Sequence, residues 1–412
     1  MRFLALLAAT CVFAPTAQAS DLALTHATVY TSPVAPPLKD ATILIHDGKI
    51  AAVAHTLKAP ATATTIDCTG LTITAGFWNS HVHILPPQLL HAEEKPDADI
   101  AAQLQTMFTQ WGFTTVFDVA SVLANTNNIR GRIASGKVEG PRILTTGEPF
   151  WGVGGTPVYV AQYLKAMNIS IPETASVPQA IARVDQQVHD GADGIKIFAG
   201  SIESDGVLLL EPDIAKAVVA EAHKDHRLVF SHPSSIKGVE LSLNSGVDIL
   251  AHVSTDEGPW TAAIVQRMLA AHMSLIPTLT LFDVEMQKGG ASPEATEGLI
   301  QLATGQLRMY SAAGGQILFG TDIGYIDHYD TAEEFTLMSR AGMTFQQILT
   351  SLTTAPASRF GYSHTGRIAA NMDADLTILK ADPATDITAL SHVAYTIRGG
   401  KVIYTASSVD KR

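Results

Sequence analysis

Residues 73–83 read Ile-Thr-Ala-Gly-Phe-Trp-Asn-Ser-His-Val-His. β-Branched and aromatic residues dominate the run, which reads as a buried strand. It closes on His81 and His83, two residues apart. On a strand that spacing places both imidazoles on one face, aimed at one point. The same pattern, an apolar run closing on a titratable side chain, recurs along the chain. The further strand candidates are Thr114–Val119, Arg142–Thr146, Gly194–Ala199, Leu228–His232, Val247–His252, Ser274–Thr278 and Gln316–Asp322. Helix-like stretches separate them, among them Asp99–Trp111, Pro178–His189, Pro212–His223 and Pro259–Ala271, several opening with Pro or Asp. Strands alternating with helical crossovers predict an α/β chain with a TIM-like (β/α)8 barrel. The rival, a doubly wound open sheet, would carry a Gly-rich phosphate turn after an early strand. The sequence has no such turn.

The two ends of the chain resemble each other. Ala41–His46 leads through Asp47-Gly48 into Lys49–Val53, and Ala394–Arg398 leads through Gly399-Gly400 into Lys401–Tyr404. Each is a β-branched pair joined by two residues that accept positive φ, a strong hairpin signal. With strands at Leu22–Tyr30 and Ala374–Leu379, they predict a small β-sandwich composed of 20–70 and 365–412, enclosing a barrel of 71–364. Ser170–Pro178 and Lys288–Thr296 read as long surface loops.

The chain has 412 residues, a formal charge of −12, 46% apolar residues and 16% charged ones. That composition is globular. The acidic balance argues against nucleic acid and anionic membrane surfaces as partners, since both require a cationic face. Met1-Arg2, the apolar run Phe3–Ala14 and Ala17-Gln18-Ala19 read as a secretory signal peptide over 1–19, cleaved after Ala19. The expected mature protein is secreted or periplasmic, with no membrane segment. It keeps one cysteine, Cys68, which has no partner for an intramolecular disulfide.

In a TIM-like barrel the chemistry sits at the C-terminal ends of the strands. Those positions hold His81 and His83, Asp118, Lys196, His232, His252 and Asp322. Neutral imidazoles and a carboxylate are common ligands of Zn²⁺. Lys196 reads either as part of this centre or as an ammonium paired with Asp118 or Asp322. Asp118 reads either as the partner that orients a ligand histidine or as the cap of the next helix. His223 and His272, near predicted helix ends, read as structural. Trp151 and Gly154-Gly155 follow the third strand, and Tyr325, His328 and Tyr329 follow the eighth. All are candidates for substrate contact. Arg142 and Lys165 are candidates for holding a substrate carboxylate.

The stretch Ala75–His83 resembles the start of the amidohydrolase superfamily barrel. Gly191-Ala-Asp-Gly-Ile-Lys-Ile197, Phe230-Ser-His232, Ala251-His252, Phe319-Gly-Thr-Asp322 and the return Gly366–Ile378 resemble its later motifs, in the same order. The likeness covers nearly all of the mature chain and leans to the prolidase-like and imidazolonepropionase-like branch. It implies two divalent metal ions, zinc by default. His81 and His83 resemble the ligands of the more buried ion, and His232 and His252 those of the second. Lys196 resembles the bridging lysine, present as N6-carboxylysine after capture of CO2. Asp322 resembles the carboxylate that binds metal and shuttles protons. The implied reaction is hydrolysis of a C–N amide bond by a metal-bridging hydroxide, on a dipeptide, an Xaa-Pro-like substrate or an N-acyl amino acid. A homo-oligomer is expected on the same ground.

A mononuclear deaminase or cyclic-amide hydrolase would keep the histidines and the aspartate without a bridging lysine. A non-catalytic periplasmic binding protein would retain all six residues unused. Three departures bear on the substrate, one of them the unusual segment Phe198-Ala-Gly-Ser-Ile-Glu203 after Lys196. Asn79 stands where many relatives have an acid, and the loop Gly147–Val158 lacks a histidine often found in prolidase-like members.

Overall fold

The computed structural model describes residues 21–254 and 258–407. The proposed leader, 1–19, lies outside them.

Both ends of the chain enter one hydrogen-bonded sheet of eight strands. Its order runs Lys401–Thr405, Val393–Arg398, Leu376–Leu379, Thr72–Ala75, Leu22–Val29, Leu38–His46, Lys49–Ala54. Thr64–Asp67 also pairs with Leu22–Val29, in parallel. The two expected hairpins are present. Asp47 and Gly48 have φ of 47° and 75°, and Gly399 and Gly400 have 53° and 74°. Two successive positive φ values give the turn whose twist matches its strands. The two turns pack together: the Ala374 N–H donates to Gly48 O and the Gly400 N–H to Ala374 O. Leu24, Ile43, Ile73, Leu376, Ile378 and Ile397 fill the core of this unit. Cys68 is buried in it, and burial pushes its thiol up to about 12, so it is inert at neutral pH. The ladder defines a single branched sheet built from both ends of the chain.

The middle of the chain holds two parallel sheets. One comprises Phe77–Val82, Phe113–Asp118 and Arg142–Thr145. The other comprises Gly194–Phe198, Leu228–His232, Ile249–Ala251 and Ser274–Ile276. Between them lie the helices, of which Val177–His189 and Pro212–Lys224 match expectation closely. Each buries one stripe of small and branched side chains, such as Ala180 and Val184 on the former. Seven of the eight predicted strands are present.

Two sequence readings are corrected here. The run Ile73–His83 is two strands, because Gly76 sits tight against Thr114 and the chain passes there from the terminal sheet to the parallel one. Gln316–Asp322 forms no ladder. It meets its neighbours through the isolated bridges Leu275↔Ile317 and, just beyond, Val82↔Ile323. Phe319 instead donates its N–H to Ser351 O, and Asp322 has φ 64°, which no strand tolerates. The bridge Phe150↔Ile197 makes the other junction between the sheets. The parallel order with flanking helices is consistent with a TIM-like barrel, with the ladder interrupted at these junctions. Lys288–Thr296 is also no long loop, since a helix starts at Pro293.

Gly324 is required by this geometry. Its φ is 101°, and a Cβ there would overlap the His83 carbonyl oxygen. Gly324→Ala is therefore expected to cost about 2 kcal/mol or more. Thermal unfolding of the variant should show a clearly lowered midpoint. An unchanged midpoint would refute this reading.

Candidate active site

His81 lies within the Phe77–Val82 strand and is fully buried. His83 follows it, with Lys196 on the Gly194–Phe198 strand and His232 closing Leu228–His232. His252 comes directly after Ile249–Ala251 and Asp322 after the irregular eighth segment. Gly320 lets that segment approach, since a Cβ there would run into Ile276 and His81. Positive φ values of non-glycine residues gather here: Ala120 (98°), Ser234 (53°), His252 (73°), Thr278 (46°) and Asp322 (64°). Such backbone is costly and persists where the surrounding packing dictates it, commonly at functional sites.

The imidazoles form a continuous chain. Ring centres are 5.2 Å apart for His83–His81, 4.6 Å for His81–His252 and 4.6 Å for His252–His232. His232 stacks on Phe198 at 4.7 Å. Asp322 Oδ1 lies 2.8 Å from His83 Nε2 and 3.2 Å from His81 Nε2. His83 Nδ1 donates to Ala120 O at 3.3 Å, and His252 Nδ1 meets Thr278 Oγ1 at 2.6 Å. Thr278 Oγ1 donates its own proton to Pro277 O, so it accepts from His252. The Ala120 carbonyl and the Thr278 hydroxyl thereby fix the orientation of these two rings.

Burial holds His81 at about 4 and pulls His232 and His252 well below the usual histidine range, so all three are neutral at pH 7. Burial also brings Lys196 down to about 7, with Asp322 opposing the shift. Lys196 makes no ion pair among the described residues, and its Nζ lies 5.6 Å from the Phe198 ring centre. Burial disfavours charge on Asp322, but the facing His81 and His83 outweigh it and hold the carboxyl well below the usual range.

His81, His83, Lys196, His232, His252 and Asp322 all line one cavity of about 390 Å³. The six residues singled out from the sequence are thus brought together. Trp151 and Tyr325 line it too. His328 does not: the chain turns after Asp322, with Tyr325 and Ile326 both donating to Asp322 O, and His328 lies exposed outside. Tyr329 packs on the core and accepts from Gln103. Asp118 touches no ligand histidine. It accepts from Ser121, Thr126, Thr145 and the Ile84 N–H, tying the segment after His83 to the next strand and helix. His223 pairs with Asp248 at 2.8 Å, a structural role as expected.

Neither proposed carboxylate anchor reaches the cavity. Arg142 stands at the opposite, N-terminal end of its strand beside Asp373 and Asp375, and Lys165 is exposed on the helix Val158–Ala166. Phe198, in the segment singled out after Lys196, lines the cavity as well, whereas Tyr159 and Tyr163 from that helix and Glu285 from Leu279–Lys288 escaped the sequence reading. Only the i, i+4 spacing of the two tyrosines signalled a shared face.

The donor set suits divalent metal. His81, His83 and Asp322 each offer a ligand atom within 4.8 Å of the others. Both His81 ring nitrogens are buried without any hydrogen bond, a costly state in a finished core. Metal coordination satisfies them.

The parallel α/β architecture thus carries a buried cluster whose donor set suits a divalent metal. The chain belongs to the amidohydrolase family, whose profile matches residues 72–403. Ochratoxinase of Aspergillus niger is 26% identical over 270 residues, 61% of this chain and 52% of that protein. The chain thus spans about half the length of this curated relative. Dihydroorotase of Streptococcus pneumoniae is 23% identical over 88% of this chain and 95% of its own. A crystal structure of an Xaa-Pro dipeptidase with bound methionine in its active site superposes with a TM-score of 0.80 at 23% identity. That superposition covers 94% of this chain and 100% of the other.

Proposed function

We propose that this chain hydrolyses the amide bond of a largely apolar substrate at a centre of two divalent metals, zinc by default. The observation that carries the reading is the buried His81–His83–Asp322 cluster in one cavity with Lys196, a buried lysine with no ion pair among the described residues. His81, His83 and Asp322 would hold one ion, and His232 and His252 the other. Lys196 would bridge them as a carbamate. Its neutral amine forms an N–C bond to CO2 and releases one proton, which replaces a cation with an anionic oxygen donor. When bound, the metals supply hydroxide at neutral pH and polarise the carbonyl.

The chain's own residues do the rest. Asp322, ionised and inside the cavity, takes a proton from the attacking oxygen and passes it to the leaving nitrogen. Ala120 O and Thr278 fix the ring orientations of His83 and His252. Trp151, Phe198, Tyr159 and Tyr325 exclude water and pack against the substrate. Apart from Lys196, no Lys or Arg is among the described residues lining the cavity. This favours an uncharged acyl amide over a free dipeptide or an N-acyl amino acid, each of which carries a carboxylate needing a cation. Export of the chain rests on its leader sequence, and a homo-oligomer on family likeness.

A second reading, a mononuclear deaminase or cyclic-amide hydrolase, is favoured by the compactness of the His81–His83–Asp322 cluster alone. Elemental analysis of protein produced with zinc and bicarbonate separates the two. Two ions per chain, with activity on N-acyl amides that is lost on chelation and restored by zinc, is the expected result. One ion with activity confined to cyclic amides or amino-substituted rings would overturn it.

A further inference from the structure

Seven large apolar side chains are exposed among the described residues, and six of them gather in two adjoining segments. Val153 and Val158 flank the turn after Trp151. Ile202, Val207, Leu208 and Leu209 lie on the hairpin Gly200–Glu203/Gly206–Leu209. The two segments touch, since Leu208 comes within 3.6 Å of where a Cβ would stand on Gly155. The hairpin is a separate two-stranded sheet, and every residue of its second strand is exposed. Ile202 is directly opposite Val207, and Gly200 opposite Leu209, so Ile202, Val207 and Leu209 share one face. Ile202 is 42% exposed and also lines the catalytic cavity. An apolar track therefore runs from the cavity wall onto the surface. Contiguous exposed apolar surface of this kind marks a binding site.

Charge on the track is acidic or neutralised. Glu203 and Asp205 sit at the hairpin turn, and on the far wall Lys288 is paired with Glu285 at 3.3 Å. Among the described residues lining the cavity Lys196 is the one Lys or Arg, so no cation on its wall is free to hold an anionic chain end.

We propose that this track is an acyl subsite. It takes the distal part of a long, uncharged aliphatic acyl chain whose amide carbonyl lies at the catalytic centre. This rests on the amide-hydrolase reading and deepens it: the substrates are N-acyl amides whose chain outgrows the 390 Å³ cavity and continues over Ile202, Val207 and Leu209.

The test uses the full, metal-loaded enzyme and p-nitroanilides of straight-chain acids from acetyl to decanoyl. The expected kcat/KM rises about threefold to fourfold per methylene once the chain passes the cavity, the effect of burying one such group. In Val207→Ser/Leu209→Ser the slope flattens for long chains, while the acetyl anilide is cleaved as before. A wild-type series that is flat in chain length overturns the subsite. So does a variant that keeps the slope but changes oligomeric state on sizing, which would make the track a contact between copies. Failure to cleave any member of the series would instead sink the amide-hydrolase reading on which the subsite rests.

Discussion

Asp322→Asn is expected to lower kcat on any amide substrate by about 10³-fold or more, with KM changed little and the fold retained. The carboxylate is 3% exposed, lies 2.8 and 3.2 Å from the two H-x-H imidazoles, and is held ionised by them. Asparagine fits the same space and keeps an oxygen facing one histidine. It cannot take a proton from the attacking oxygen or return it to the leaving nitrogen, and it is a poorer metal ligand. Steady-state kinetics separate the two losses when metal content is measured on the same sample. A variant with full metal and residual activity of a thousandth or less identifies the proton transfer. Activity within about tenfold of wild type would remove Asp322 from the mechanism. Thermal unfolding guards the comparison, because a buried amide that lost its partners would also lower the midpoint.

The strand-end cluster was legible because its members close or sit within short apolar runs. Leu228–His232 is a short β-branched and aromatic run between turn signals, and its observed bounds match the reading. The terminal hairpins were equally plain, since Asp47-Gly48 and Gly399-Gly400 permit only a narrow set of turns. The eighth segment misled because its composition is strand-like, while its path is set by tertiary demands: the close approach at Gly320 and the left-handed Asp322. His328 misled for a related reason. Proximity in sequence to Asp322 suggested proximity in space, but the turn at Tyr325 and Ile326 carries the chain outward. Arg142 was chosen by charge without regard to polarity along the strand, and it stands at the end away from the chemistry. The substrate walls were largely invisible. Tyr159 and Glu285 come from two elements far apart in sequence, and only the fold brings them to one cavity. The hairpin carrying Ile202 begins in the segment Phe198–Glu203 that stood out in the sequence, and Ser204-Asp205-Gly206 between apolar residues marks its turn.

Lys196→Ala is expected to reduce bound metal from two ions to one or fewer per chain and to lower kcat by about 10³-fold or more. No ion pair joins Lys196 to Asp118 or Asp322 among the described residues: Asp118 accepts from three hydroxyls and a backbone N–H, and Asp322 faces histidines. A buried ammonium without a partner is costly, and burial resolves this by bringing the amine down to about 7. That value sets a pH signature. In the metal-free chain, the folded amine gives up its proton above about 7 while the unfolded lysine keeps it to about 10.5. The unfolded state then binds more protons, so stability of the metal-free chain rises with pH across that window and is lost as pH falls through it. Bicarbonate-promoted zinc uptake should follow the neutral amine, with an initial rate about tenfold higher at pH 8 than at pH 6. Lys196→Ala should flatten both profiles. Small carboxylates such as acetate should partly restore metal and activity to this variant by standing in for the missing oxygen donor. That rescue is the discriminating readout, since a residue that merely fills space would not answer to acetate. A Lys196→Ala protein with two metals and full activity would refute the bridge and leave the mononuclear reading in its place.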